Sequence, residues 1–385
     1  MTTKGPLSGL VVLDLSRVLA GPYATMVFAD LGARVIKIET PAGGDDARHF
    51  GPFINKKSAY FMSLNRGKES ITLNLKQSED LKTFEHLVGQ ADILVENYRP
   101  GTMEKLGLGW DKLKSINPRL IYAAISGFGH TGPYSQRAAY DMVVQGMGGI
   151  MSVTGHEGGE PTRVGTSIGD ISAGLFGVTG ILSALYERQQ SGQGMMVDVS
   201  MLDCQVAMLE NAIARYTADH VIPGPLGARH PSITPFAAFK AQDGYIIIAA
   251  GNDILFEKLC DAIKRPELYK DNRFTNNAER TKHSDDLTLE LNKTLAMSSV
   301  DAWLTILETA GIPSGPINTI EHVLNDPQVN ARNMVISTND PTSGSVTMAG
   351  NPIKLSRFSD PVTRPPAPEL DADRDRILSL ISNDN

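Results

Sequence analysis

The chain has 385 residues, 41% of them apolar and 21% charged, with a formal charge of −7. That length exceeds one ordinary compact core and predicts two domains. Cations are spread without a basic block, which excludes a nucleic-acid partner, and only two cysteines occur, Cys204 and Cys260, which excludes a disulfide framework and predicts a reducing, cytoplasmic compartment.

Met1 to Ser8 lacks an apolar run and does not read as a signal peptide. Leu10-Val-Val-Leu-Asp-Leu15 reads as a short strand, Gly21 to Leu31 as a helix stopped by Gly32, and Arg34-Val-Ile-Lys-Ile-Glu39 as a second strand. A helix between two apolar strands implies a parallel crossover unit. The alternation continues with strands at Ser70 to Leu75, Asp92 to Glu96 and Leu120 to Ser126, and helices at Leu81 to Val88 and from Thr102 to Leu106. The expectation is a doubly wound α/β sheet with its ligand rim at the carboxyl ends of the strands. Ser16 to Ala20, Thr40 to Gly44, Asn97 to Gly101 and Gly127 to Pro133 fall on that rim.

Ile171 to Arg188 reads as a long apolar helix rich in Gly, Ala and Ser, built for close packing. Met195 to Ser200 is a strand and Met201 to Thr217 a helix. Pro223 to Pro235 holds four prolines and two glycines and reads as a linker. A hairpin around Asp243-Gly244 and helical text to about Gly311 follow. The expected layout is a discontinuous Rossmann-like large domain, 1–224 and 313–385, and a smaller α+β domain, 225–312. No continuous apolar run is long enough to predict a membrane span. The eight histidines form no HxH or HxxxH pair, so no metal is expected.

Gly127-Phe-Gly-His-Thr-Gly132 fits the dinucleotide pattern, but Pro133 and Ser135-Gln-Arg137 follow where a helix must open. A glycine loop permitting close backbone approach is the preferred reading over a nicotinamide site. Asp170 stands at the start of the long helix, where an N-cap is the ordinary role. A carboxylate there also stays ionised, which suits a nucleophile. Tyr140-Asp141 follows a loop that can face a cleft, and Arg229-His230 in the linker reads either as a solvated pair or as an anion contact.

Taken together these segments resemble the class III CoA-transferases along essentially the whole chain. The likeness rests on Val12-Leu-Asp-Leu15 with Arg17-Val-Leu-Ala-Gly-Pro22, Leu31-Gly-Ala-Arg-Val-Ile-Lys-Ile-Glu39, Asp92-Ile-Leu-Val-Glu-Asn97 with Arg99-Pro-Gly101, Gly127 to Pro133, Ala139-Tyr-Asp141 and Gly169-Asp170. The resemblance implies an interlocked homodimer of ring-shaped subunits. It implies no permanently bound cofactor, acyl-CoA and small carboxylates as substrates, and no membrane. By position it implies Asp170 as nucleophile and Val18, Leu73, Asn97 and Lys105 as CoA contacts. Thr40 stands where the family often has a basic residue, so another cation must compensate. Asp170 is then expected to pass through an acyl anhydride and an aspartyl-CoA thioester, with Gly148 and Gly149 as oxyanion donors and Tyr140, Asp141, Arg229 and His230 in supporting or substrate roles. The 224–232 linker is the expected lid.

Tyr140 stands where related racemases carry a histidine base, so racemisation is the disfavoured alternative. Gly44-Asp-Asp-Ala-Arg48, Arg229-His-Pro231 and Gly350-Asn-Pro-Ile-Lys354 lean toward the family branch that pairs acetyl-CoA with oxalate. Succinyl-CoA-dependent branches acting on glutarate or other dicarboxylates are also similar. A CoA-binding protein without catalysis is the remaining alternative.

Overall fold

The structure, a computed structural model, describes residues 5–382. Two compact units divide the chain. The first contains Met1–Met151, Arg163–Val221 and Pro327–Asn385, and the second Ser152–Thr162 and Ile222–Asp326. The second unit thus runs beyond the expected boundary at 312 and takes in a segment assigned from sequence to the large domain. The reason is pairing between distant stretches. Within the second unit the Gly227 amide donates to Gly155 O at 2.8 Å, and Arg229 reaches Glu157 at 3.2 Å.

In the first unit the chain runs β1 (Val11–Asp14), α1 (Ala20–Asp30), β2 (Arg34–Glu39), the small ladder β3 (Phe53–Ile54) and β4 (Lys57–Ser58), and α2 (Ala59–Asn65). It continues through β5 (Glu69–Thr72), α3 (Ser78–Gln90), β6 (Ile93–Glu96), α4 (Thr102–Lys105), α5 (Trp110–Ile116) and β7 (Ile121–Ser126). Next come α6 (Asp141–Met147), α7 (Ile168–Ser191), β8 (Met196–Ser200), α8 (Met201–Met208) and α9 (Glu210–Asp219). Leu209, at φ −92° and ψ 21°, breaks the single helix expected over Met201 to Thr217 into two.

Six parallel strands pair in the order β5-β2-β1-β6-β7-β8. This is the doubly wound order, two halves diverging from β1 and β6. Both faces are covered, so the central strands are continuously buried, and β7 is buried throughout. One core joins Val12, Phe28 and Ile93 to α7, and the other joins Leu13, Phe84 and Leu94 to Ile377.

The 24-residue α7 packs on α1, β7 and β8. A Cβ at Gly174 would stand 2.8 Å from Ala20 O, so only glycine allows this approach. By length and mean hydropathy of 1.6, α7 would also suit a membrane span, which a search for continuous apolar runs misses. Half of that stretch is buried inside the protein.

The second unit holds β9 (Phe236–Lys240), β10 (Tyr245–Ala249) and β11 (Ser314–Pro316), paired antiparallel. Helices including α10 (Asp253–Ala262), α11 (Asn277–Lys282), α12 (Ser284–Leu295) and α13 (Val300–Thr309) lie between β10 and β11 in the chain. Its core gathers Phe239, Ile248, Phe256 and Trp303. The chain then returns to the first unit with β12 (Val335–Asp340), β13 (Gly344–Ala349) and β14 (Thr363–Arg364) in a separate sheet.

Candidate active site

The strand order reverses between β1 and β6, and their carboxyl ends open a crevice there. The loops that follow are tied together. Arg17 N donates to Asn97 Oδ1 at 2.8 Å, and Asn97 Nδ2 donates back to Arg17 O at 2.7 Å. Val18 takes a left-handed φ of 66°, and its amide donates to Asp45 Oδ1 at 3.0 Å. Asp45 is held in turn by the fully buried Lys37 at 2.8 Å, which also donates to Ser16 O at 2.8 Å. Burial opposes the charge on Lys37, but Asp14, Asp45 and Glu39 outweigh it and raise its pKa. The loop carrying Val18 is therefore fixed from below by a buried ion pair.

A cavity of about 450 Å³ opens at this point, lined by Arg17, Val18, Asn97, Arg99, Tyr140 and Asp170 among others. The glycine loop after β7 contributes Gly127, but no helix opens until Asp141, so the dinucleotide pattern lacks its helix.

Asp170 is the third residue of α7, not its cap. The N-cap is Ser167, whose side chain makes no capping bond. The cap comes instead from α6: Asp141 Oδ1 accepts the Gly169 amide at 2.8 Å, and Asp141 Oδ2 accepts from Gln145 Nε2 at 2.8 Å. A Cβ at Gly169 would lie 3.0 Å from Asp141 Oδ1 and 2.8 Å from Val144, so the residue before Asp170 has to be glycine. Burial, and then the like charge of Asp141, pushes the Asp170 carboxyl up to about 7. The expectation of a carboxylate that simply stays ionised is corrected: desolvation here outweighs the helix N-terminus.

The other expected residues divide. Val18, Asn97 and Tyr140 line the cavity with Asp170, and Tyr140 is 77% exposed. Leu73 is buried, and its amide donates to Glu39 O at 2.8 Å. Lys105 is exposed on α4. Gly148 N donates to Val144 O at 2.7 Å and Gly149 N to Gly146 O at 3.4 Å, so the expected oxyanion donors are engaged in the end of α6. Arg229 pairs with Asp285 at 3.0 Å and Glu157 at 3.2 Å, and His230 stacks on Phe236 with centroids 5.4 Å apart. Both belong to the second unit.

Sequence reasoning missed three contributors. Arg99 and Arg137 line the cavity, and neither forms an ion pair among the described residues. Arg17, the third arginine of the lining, pairs with Asp46 of the same wall at 3.2 Å. Arg99 was visible inside the Arg99-Pro-Gly101 motif. Tyr60 carried no signal. Burial first, then the charges of Asp170, Asp45 and Asp141, pushes its hydroxyl up to about 12, which marks it as a protonated neighbour of this acidic group. No cluster of metal-ligating side chains occurs among the described residues.

A crevice at the sheet switch point, lined by three arginines and with the half-buried Asp170 carboxylate on one wall, suits an anionic ligand. The chain belongs to CoA-transferase family III, whose model matches residues 7–374, and it is accordingly a CoA-transferase. It is 48% identical over 369 residues to the acetyl-CoA:oxalate CoA-transferase of Acetobacter aceti, covering 96% of this chain and 94% of that protein. It is 39% identical over 367 residues to the human succinyl-CoA:glutarate CoA-transferase, covering 95% of this chain and 84% of that one. The crystal structure of a CAIB/BAIF family protein from Brucella suis superposes with a TM-score of 0.87 at 40% identity, covering 98% of this chain and all of that one (100%).

Proposed function

We propose that the protein moves CoA from a short acyl-CoA, acetyl-CoA or succinyl-CoA, to a small carboxylic acid, with oxalate as the leading acceptor, through covalent intermediates on Asp170. The observation that carries this reading is the Asp170 carboxyl: it lines the cavity, and burial followed by the like charge of Asp141 raises it to about 7. A carboxylate in a poorly solvated wall is a strong nucleophile once ionised.

The steps follow from carboxylate chemistry. The Asp170 carboxylate attacks the thioester carbonyl, the C–S bond breaks and CoA thiolate leaves an aspartyl–acyl anhydride. The thiolate attacks the aspartyl carbonyl and expels the first acid as its carboxylate, leaving an aspartyl-CoA thioester. The acceptor carboxylate displaces the thiolate to form a second anhydride. The thiolate then attacks the acceptor carbonyl, which frees Asp170 and the new acyl-CoA. No net proton is consumed. Arg17, Arg99 and Arg137, which line the cavity, would meet the phosphates of CoA, with Val18 and Asn97 beside them; Leu73 and Lys105, which do not line it, are proposed contacts on the resemblance alone.

The acceptor reading leans on the oxalate enzyme of Acetobacter aceti; the glutarate enzymes support a dicarboxylate as the second reading. We further propose a homodimer, interlocked as the family resemblance implies. Exposed Met142, Val143 and Met147 on α6, Leu175 and Phe176 on α7, and Ile213 on α9 support a self-complementary apolar face. The reading places the enzyme in the cytoplasm, where two buried, unpaired cysteines stay reduced.

A mass-spectrometric panel tests the substrate reading. Acetyl-, succinyl- and formyl-CoA are offered against oxalate, glutarate, malate and carnitine. New oxalyl-CoA supports the leading acceptor, glutaryl-CoA the second, and no new thioester with any pair overturns the proposal.

A further inference from the structure

Asp170 reaches the cavity from the first turn of α7, and the chain just before that helix, from Arg163 to Ser167, is neither helix nor strand. Such a segment has no regular hydrogen bonding of its own to fix where the helix begins, so side chains must supply it. One residue of α6 faces this stretch. Gln145 is fully buried, and its Oε1 accepts the Val164 amide at 2.9 Å. Its Nε2 donates to Asp141 Oδ2 at 2.8 Å and reaches Thr166 O at 3.5 Å. Asp141 passes this hold on, since its other oxygen accepts the Gly169 amide at 2.8 Å.

Glutamine suits this place by its chemistry. A primary amide offers an acceptor oxygen and two N–H donors, and here it meets a backbone amide, a carboxylate and a carbonyl oxygen. A carboxylate at 145 would face Asp141 with a second negative charge and no donor. An apolar side chain of the same length would take this partner from both the Val164 amide and Asp141 Oδ2. Arg163 does not replace it. Its Nη2 stands 4.0 Å from Asp141 Oδ2, and its guanidinium donates to Val164 O at 3.0 Å and Gly165 O at 3.4 Å.

We propose that Gln145 is a positioning residue for Asp170: by orienting Asp141 and latching Val164 it sets where α7 begins, and so where the reacting carboxylate stands. The inference rests on the reading of Asp170 as the nucleophile. Gln145 does not line the cavity, so it acts through Asp141 and Val164. Val18, Asn97 and Arg99, which do line it, follow β1 and β6 rather than α6. Loss of Gln145 therefore leaves donor binding in place and falls on the rate of attack, where a displacement of about 1 Å costs roughly a hundredfold.

The test is steady-state kinetics of the full chain, with acetyl-CoA and succinyl-CoA as donors, read on the alkaline plateau of each variant's pH profile so that Asp170 is ionised throughout. Gln145→Met should lower kcat roughly tenfold to a hundredfold and leave KM for the donor within about twofold. Gln145→Glu keeps the shape and an acceptor for Val164, yet should lose kcat similarly, because two carboxylates then face each other. Asp141→Asn combined with Gln145→Glu reverses the bond. The amide at 141 donates to the carboxylate at 145, while its oxygen still accepts from Gly169, and kcat should return to within about fivefold of the unaltered enzyme. If Gln145→Met does not fold, Gln145→Glu and the double variant decide. Unchanged kcat in the single variants, losses that fall on KM, or a double variant no faster than Gln145→Glu alone overturn the inference. If hydroxylamine or borohydride never marks Asp170 in the unaltered enzyme, the reading of the nucleophile falls and this inference with it. Marking of Asp170 together with unchanged kcat in the Gln145 variants overturns the inference alone.

Discussion

Asp141 caps the helix that carries Asp170: its Oδ1 accepts the Gly169 amide at 2.8 Å, one residue before Asp170. The same carboxylate raises Asp170 by its charge, second only to burial. One side chain thus holds the turn that carries Asp170 and raises its pKa.

Activity should fall as pH drops through about 7, because Asp170 loses its charge there. Asp141→Asn keeps an acceptor for the Gly169 amide but removes the like charge. The acid limb of kcat/KM should then move down by about half a unit to one unit. An unmoved limb means that Asp141 does not tune Asp170.

Stability should carry the opposite mark. Asp170 titrates higher in the folded chain than in the unfolded one, so the fold loses stability as pH rises toward and through about 7. Asp170→Asn removes this penalty. Its gain over the unaltered protein should grow from about pH 4 and level off above neutrality at roughly 1–3 kcal/mol, discounted for partial solvation. Denaturation midpoints measured across that range check the sign.

Much of the scaffold was legible in the text. Alternation of short apolar strands with helices predicted the parallel sheet, and the span Arg34–Glu39 was read at its observed bounds. Strand alternation carries this information locally, since a buried parallel strand is apolar throughout. Asp170 itself was reached through the resemblance; pattern alone offered only a cap. That cap lies 29 positions earlier, on Asp141, and no local signal connects the two. The same blindness hid Tyr60, Arg137 and the pairing of Ser152–Thr162 with the second unit, all contacts between distant stretches. Gly148-Gly149 erred the other way: the glycines suggested free amides, and the end of α6 had already engaged them.

Lys37 illustrates a structural charge that the site depends on. Lys37→Met would strand Asp45, which holds the Val18 amide, without its buried partner. Removing one member of a buried pair costs about 3–5 kcal/mol. Urea unfolding should register that loss, and any folded fraction should show a raised KM for the donor. A variant as stable as the unaltered chain means that the pair does not hold the loop.

The most direct test traps the intermediate during turnover. With donor and acceptor present, borohydride or hydroxylamine treatment followed by peptide mass spectrometry should mark Asp170 in the unaltered enzyme. Asp170→Ala should show no mark there and a rate lower by roughly a thousandfold or more, with its fold intact. A mark that falls on another residue, or turnover that persists in Asp170→Ala, contradicts covalent transfer through this carboxylate.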